Sequence, residues 1–292
     1  MKSCCLTLII FAFFVWAGDA ARAQSAIFTM RVDGSNVEKV SHSDERWLGA
    51  AAWSNDGKRL IYVGLPENMD GSQKELYVET LGRSTSTHLG SGAAPCWSPD
   101  DQQIAFFQPE GNAAGARPGM WIMNADGSGR EWISEGIRPS WSPTSDAIAF
   151  PSRHEGFESI YAYDTLELTR KSVLGRGFTG ITGLAWSPDG KRLAFHGVTE
   201  GSSVLAVINL NQATGRPEIL YRGQINWRPA WSPDGKTIAL PIMVNGQERL
   251  HLLDVEAGGA PVMIPGQFGK RNTDPVWSPD GKKIAFSSSR GS

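Results

Sequence analysis

Side chains that could recognise a ligand recur at one place in this sequence, the variable segments that flank the copies of a short tryptophan-containing motif. Arginine presents a planar fork of N–H donors that matches a carboxylate, and tryptophan presents a broad face that stacks on a sugar or packs against a peptide. This combination predicts recognition of a protein segment or a glycan. The candidate residues are Arg46, Trp47, Arg138, Arg153, His154, Arg176, Trp227, Arg228, Arg271 and Asp274.

Two other interpretations of these side chains stay open. The arginines could be solvated loop charges that pair with Glu45, Glu135 and Asp274. Alternatively, the arginines and histidines could serve a carbohydrate-active enzyme that acts on acidic sugars. A binding module without a catalytic residue is our first prediction, and the enzyme is its alternative.

Metal and acid–base chemistry find little support in the residue spacing. His42, His154 and His196 lie in or near the variable segments, whereas His88 and His251 fall in predicted strands. No short zinc-type ligand spacing joins them, and no Gly-x-Ser-x-Gly nucleophile motif occurs. We therefore predict no metal ligands and no cofactor.

The motif itself is a structural repeat. It occurs six times, as in AWSPDGKRLAF at residues 185–195, and its tryptophans are separated by 44, 44, 45, 45 and 46 residues. A steady period near that length is typical of stacked or circular supersecondary units. The predicted packing residues are Trp53, Trp97, Trp141, Trp186, Trp231 and Trp277.

Each repeat predicts four antiparallel strands. Ser-Pro-Asp-Gly favours a tight hairpin turn after the strand that carries the tryptophan, and the alternating apolar residues that follow predict the next strand. A third strand comes next, as at 120–124 and 204–210, and then a weaker fourth, as at 130–134. Asn55 replaces the turn proline in the first copy, and Thr144-Ser145 replace Asp-Gly in the third. We expect these changes to weaken their hairpins but not the fold.

The two ends of the chain predict a closed ring. SAIFTMRVDGSNVEKVS, from residue 25, matches the second half of a repeat, and KKIAFSSSRGS, from residue 282, supplies only a first half. N-terminal strands that complete the C-terminal sheet would leave no unpaired edge, whereas a linear array would leave two. The fold class is therefore predicted as an all-β, six-bladed β-propeller.

The first 23 residues have the features of a cleaved secretion signal. Lys2 precedes an apolar run at 6–17, and Ala21-Arg22-Ala23 supplies a small-x-small cleavage pattern. The run is shorter than the roughly 20 residues that a spanning helix needs. The predicted organisation is a signal peptide at 1–23 and one propeller at 24–292, periplasmic or secreted, without a membrane span after signal removal.

Composition and cysteine content narrow the function further. The chain has 28 basic and 30 acidic residues and a formal charge of −2, which is atypical of nucleic-acid binders. Cys96 is the one cysteine beyond the predicted signal, and it occupies a small-residue position before Trp97. We expect a buried thiol, no disulfide and a monomer.

The repeat resembles that of the TolB-type β-propellers, which are often described as WD40-like. The resemblance lies in Pro275-Val-Trp-Ser-Pro-Asp-Gly-Lys-Lys-Ile-Ala-Phe286, in strands such as Trp121-Ile-Met-Asn-Ala-Asp-Gly-Ser128, and in the split sheet, and it covers 24–292. It implies a periplasmic protein that binds envelope proteins. Members of this family carry an additional α/β domain before the propeller, which we expect to be absent here. Similar repeats occur in oligogalacturonate lyases, so the enzymatic alternative is lyase-like.

Strand order places the candidate residues at one end of such a propeller. The Ser-Pro-Asp-Gly turns and the Asp-Gly-Ser turns at Asp33 and Asp126 share the other end. The first strand of each blade lines the central channel, so the residues just before each motif surround its mouth. We expect an envelope or secreted protein, or a glycan, to bind there.

Overall fold

The computed structural model describes residues 25–42, 47–66, 73–110, 116–154, 157–174, 176–211, 216–225 and 228–289. Within these ranges the chain forms β-strands and no helix, so no helical segment there could cross a membrane. The strands build six antiparallel sheets of four strands each. First strands of neighbouring sheets contact each other around a central channel. The predicted all-β six-bladed propeller is therefore confirmed.

The blades follow one another in chain order, and the strands of each run from the channel outward. Blades 1 to 3 comprise β3 (Trp47–Trp53), β4 (Arg59–Leu65), β5 (Glu75–Thr80) and β6 (Ser86–Ser91); β7 (Ala93–Trp97), β8 (Gln103–Gln108), β9 (Gly119–Asn124) and β10 (Glu131–Ser134); and β11 (Ser140–Trp141), β12 (Ala147–His154), β13 (Phe157–Asp164) and β14 (Thr169–Ser172). Blades 4 to 6 comprise β15 (Thr179–Trp186), β16 (Arg192–Thr199), β17 (Ser202–Asn209) and β18 (Glu218–Arg222); β19 (Ala230–Trp231), β20 (Thr237–Val244), β21 (Gln247–Asp254) and β22 (Val262–Met263); and β23 (Arg271–Trp277), β24 (Lys283–Ser289), β1 (Ser25–Arg31) and β2 (Glu38–Lys39).

Blade 6 closes the ring as the sequence predicted. β1 pairs antiparallel with β24 along its whole length, with Phe28 opposite Phe286. The side-chain hydroxyls of Ser25 and Ser287 donate hydrogen bonds to the carbonyl of Leu48 in blade 1, at 3.1 and 2.6 Å. The N-terminal strand therefore belongs to the last blade and also ties it to the first.

The second strand of each blade is buried on both faces. In β24, Ile284 and Phe286 pack toward blade 5, and Ala285 packs toward Leu60 of blade 1. The alternation in these strands therefore places large side chains on one buried face and small side chains on the other. Neither face is exposed to solvent. Each fully buried Phe or Ile contributes about 1.5–3 kcal/mol to stability.

The motif turns are held by their own side chains. In five copies the serine hydroxyl donates to the turn aspartate at 2.5–2.6 Å, as from Ser232 to Asp234. This hydrogen bond is the main reason that the pKa of Asp234 lies below its usual value. The third copy has Thr144 at this position, which cannot accept in the same way as a carboxylate.

Asn55, the exception in the first turn, makes contacts that proline could not make. Its backbone N–H and its side-chain amide donate to Asp101 Oδ1 in blade 2, at 2.7 and 2.9 Å. The N–H of Asp56 donates to the other carboxylate oxygen at 2.9 Å. Asp101 occupies the position of the turn glycine in its own motif and has a left-handed φ of 60°. The two departures from the repeat therefore form one connection between blades 1 and 2.

Candidate functional site

The predicted binding residues occupy different environments. Arg46 and Trp227 lie outside the described residues, as does the side chain of His154. Arg153 is exposed, and Arg176 is exposed with its guanidinium 4.4 Å from the ring of Phe157. Trp47 opens β3 and is half-buried, with its indole against Gly49.

Arg271 of blade 6 is engaged in a salt bridge with a residue of blade 5. Its Nε donates to Glu248 Oε2 at 2.7 Å, and the side chain of Glu248 is only 4% exposed. The side-chain amide of Asn272 donates to the Glu248 carbonyl at 3.3 Å. Arg271 therefore pairs with an acid that the sequence pattern did not single out, and it connects β23 to β21.

Three of the predicted residues share one structural position, three residues before the motif tryptophan. We call the set at this position the channel ring: Ala50, Ala94, Arg138, Gly183, Arg228 and Asp274. Five of its members, all except Arg228, have left-handed φ angles of 47–59°. In four blades the pairing register of the first strand also breaks here. Such a bulge redirects a side chain. The left-handed backbone conformation costs about 1–3 kcal/mol for a non-glycine residue.

Contacts between ring members show that the ring is narrow. A Cβ added to Gly183 would lie 2.4 Å from the Cα of Arg228, so that glycine permits the close approach. The N–H of Ala50 donates a long hydrogen bond of 3.5 Å to Asp274 Oδ2. The Nε of Arg228 donates to the Leu184 carbonyl at 3.1 Å. The small residues at three positions leave space for the charged side chains at the other three.

The charges of the ring influence one another across the channel. Arg138 and Asp274 belong to blades 3 and 6, which are opposite each other. Burial raises the pKa of Asp274, although Arg138 and Arg228 both act to lower it. Burial likewise lowers the pKa of Arg138, with Asp274 opposing the shift. Both side chains retain solvent-accessible surface, as expected for groups that face a water-filled channel surrounded by protein.

Lys74 adds a cation that the sequence patterns did not indicate. It precedes β5 in the mouth-side connection of blade 1, and its carbonyl accepts the N–H of Gly92 at 2.8 Å. Burial lowers the pKa of Lys74, and Arg138 acts in the same direction. The residue belongs to no repeated pattern, so sequence spacing gave no signal for it.

The histidines considered as metal ligands have other partners. His196 is buried within β16, and its Nδ1 and Nε2 lie 2.8 and 2.9 Å from the hydroxyls of Thr182 and Ser203. Burial, with a smaller contribution from Arg138, lowers the pKa of His196 to about 4. His42 forms a 2.9 Å contact with Glu79. Within the described ranges no three His, Cys, Asp or Glu residues come together as a metal site.

The motif tryptophans surround the part of the channel on the turn side of the ring. A cavity of about 210 Å³ lies there, between the indoles of blades 3 to 6 and the turn prolines, and Arg228 contributes to its wall. Four indole N–H groups donate to the carbonyl of the residue before the preceding blade's tryptophan, at 2.9–3.3 Å; these belong to Trp97, Trp186, Trp231 and Trp277. The cavity gives access to Arg228 from the end opposite the predicted mouth.

Cys96 is a buried packing residue, as the sequence predicted. It is 5% exposed, and burial raises its pKa to about 11. It packs beside Trp141 and Phe150 at the interface of blades 2 and 3. A thiol in that state is not a nucleophile at neutral pH.

Comparison with known proteins identifies the fold family. The model of the TolB beta propeller domain matches residues 7–178 and 169–292. Comparison with curated proteins gives no significant sequence match. The crystal structure of TolB from Acinetobacter baumannii superposes with a TM-score of 0.67 at 20% identity, covering 92% of this chain and 64% of that one. This chain thus spans less than two thirds of the length of that relative.

Two further structures show the same architecture. A putative TolB from Agrobacterium tumefaciens gives a TM-score of 0.72 at 20% identity, with coverage of 92% of this chain and 99% of that one. An oligogalacturonate lyase in complex with manganese gives 0.54 at 20% identity, covering 74% and 68%. At these identities the likeness concerns the fold alone. From the family match and the six-bladed architecture together, we conclude that the chain belongs to the TolB β-propeller domain family.

Proposed function

We propose that this protein is a non-catalytic binding propeller that holds a segment of another protein, or a glycan, at the central channel. The observation that supports the proposal best is the channel ring, where Arg138, Arg228 and Asp274 share one structural position and where Arg138 and Asp274 have a strained backbone. Strain of this kind persists where the surrounding structure fixes it, and it is often found at functional sites.

The proposal places the protein outside the cytoplasm, in the periplasm or secreted. The signal-like residues 1–23 support this location but lie outside the described residues. A TolB-type partner would be an envelope protein, and the loops at the mouth would supply most of the contact area. We propose that the protein acts as a monomer, because its ring closes within one chain.

A capture experiment tests the binding function. The tagged protein is incubated with envelope extract and compared with a variant carrying Arg138→Gln and Arg228→Gln. A control variant carries Arg222→Gln, since Arg222 is exposed on the outer strand β18. We expect the wild type and the control to retain the same partner and the double variant to lose it. Loss only in the outer-strand variant would contradict binding at the channel.

The lyase-like alternative is tested separately. The purified protein is assayed for bound metal and for unsaturated products from uronic-acid polymers. We expect neither. Product formation that disappears in the double variant would overturn the proposal of a non-catalytic module.

A further inference from the structure

The two arginines of the channel ring have few protein acceptors. Arg138 makes no hydrogen bond or salt bridge with the described residues, and Arg228 uses only its Nε, on the Leu184 carbonyl. Asp274 influences the pKa of Arg138 and is itself influenced by both arginines, yet no ion-pair contact within 4.0 Å joins it to either guanidinium in the described structure. Among the described residues, most of the guanidinium donors of these two arginines therefore have no acceptor.

The backbones that carry these arginines are held in place before any ligand arrives. The φ of 50° at Arg138, two residues before β11, fixes the direction of its Cα–Cβ bond. The contact between Gly183 and the backbone of Arg228 fixes the second arginine at the next ring position. Preorganised donors in a confined site bind an anion better than mobile surface arginines, because less rotamer entropy is lost and water screens the charges less.

The shape of the surroundings limits the kind of anion. Small residues at Ala50, Ala94 and Gly183 leave a narrow opening, and the cavity that reaches Arg228 has apolar indole and proline walls. A planar carboxylate matches the guanidinium fork, and a slender stem that enters from the mouth fits the narrow opening. An extended polypeptide end has both features.

We infer that the channel ring is a carboxylate-binding site, in which Arg138 and Arg228 hold the C-terminal or side-chain carboxylate of a polypeptide that enters the channel. The inference deepens the proposed function, on which it rests for its partner. The carboxylate occupies the space between the arginines and Asp274. Asp274 limits the affinity while it is ionised, because it repels a second anion.

The direct test uses small probes and needs no knowledge of the partner. Binding of acetate and of neutral acetamide is measured by ligand-observed NMR on the wild type, on Arg138→Gln, on Arg228→Gln and on the control Arg222→Gln. Charge-assisted hydrogen bonds are worth about 1.5–3 kcal/mol, so each ring substitution should weaken acetate binding about 10-fold or more. The control should bind acetate like the wild type, and acetamide should not bind.

A second pair of probes identifies the source of the carboxylate. A dipeptide with a free C-terminus should bind about 10-fold more tightly than its C-terminal amide, or better, with the same dependence on Arg138 and Arg228. Galacturonate that binds while the dipeptide does not would overturn the polypeptide assignment. Circular dichroism spectra that are identical to wild type show that each variant is folded.

The outcomes separate this inference from the proposed function. A partner captured equally by the wild type and the ring variants at Arg138 and Arg228, without acetate binding, would overturn the carboxylate site and leave a binding propeller that uses other contacts. Acetate binding that depends on the ring, without any captured partner, would support the site and count against the proposed partner. Acetate binding that survives both ring substitutions would overturn the inference outright.

Discussion

Replacing His196 should make the protein less sensitive to acid. The imidazole is 8% exposed and lies between two hydroxyl groups, and burial is the main cause of its depressed pKa of about 4. In the unfolded chain the histidine has an ordinary pKa near 6.5. Between about pH 4 and pH 6.5 the unfolded chain therefore binds a proton at this residue and the folded protein does not. Stability from this residue is therefore present above about pH 6.5 and is lost as the pH falls toward 4.

The size of the effect follows from the two pKa values. At pH 5 the unfolded state gains about 2 kcal/mol relative to the folded state from His196 protonation alone. The free energy of unfolding should be measured by urea titration at pH 7 and pH 5, for the wild type and for His196→Gln. The loss of stability between these pH values should be about 2 kcal/mol smaller in the variant.

The control for this experiment is His88→Gln. The side chain of His88 is 55% exposed on β6, so this variant removes a histidine without removing a buried one. Equal losses of free energy between pH 7 and pH 5 in His196→Gln and the wild type would refute the assignment of a neutral, buried imidazole. A reduction of the pH dependence by His88→Gln as large as that by His196→Gln would refute it as well.

The blade contacts and the ring lead to three more predictions. Asn55→Pro and Asp101→Gly should each lower the free energy of unfolding, and the double variant should lose about 1–3 kcal/mol less than their sum, because both act on one set of hydrogen bonds. Phe28→Ala should cost about 3–5 kcal/mol, since Phe28 is 1% exposed in the closing strand. Asp274→Asn should gain stability relative to the wild type as the pH rises from 4 to 7, because a carboxyl with a raised pKa destabilises the fold once it ionises.

Urea titrations could contradict each of these predictions. Additive effects of Asn55→Pro and Asp101→Gly would show that the connection between the turns is not cooperative. A cost below about 1 kcal/mol for Phe28→Ala, with Phe286→Ala as the matched control in the partner strand, would show that β1 is dispensable. A stability difference between Asp274→Asn and the wild type that does not change with pH would contradict the raised pKa.

The architecture could be predicted because it depends on local patterns that repeat. Six motifs with hairpin turns specify the second strands, and the half-repeats at the two ends specify the pairing of β1 with β24. Such information lies in short stretches of sequence. The same holds for the burial of Cys96, which follows from its place beside Trp97.

The site could be predicted only in part, because its features depend on contacts between distant blades. A left-handed backbone could not be predicted at Ala50 or Arg138, because glycine and asparagine are the residues that usually adopt it. The link from Asn55 to Asp101 requires knowing that two turns are neighbours. Lys74 approaches the ring from a connection without a pattern, and the influence of Arg138 on it appears only in three dimensions.

The hydrogen bonds of the motif indoles do not join all neighbouring blades equally. The buried N–H groups of Trp53 and Trp141 have no acceptor among the described residues. The series of indole hydrogen bonds between blades is therefore interrupted twice, between blades 6 and 1 and between blades 2 and 3. Serine hydroxyls bonded to Leu48 bridge the first interruption. The second, between blades 2 and 3, has side-chain packing around Cys96 and a backbone hydrogen bond from Trp141 to the thiol. Thermal opening of the ring should therefore begin between blades 2 and 3 and leave the six blades as one open arc.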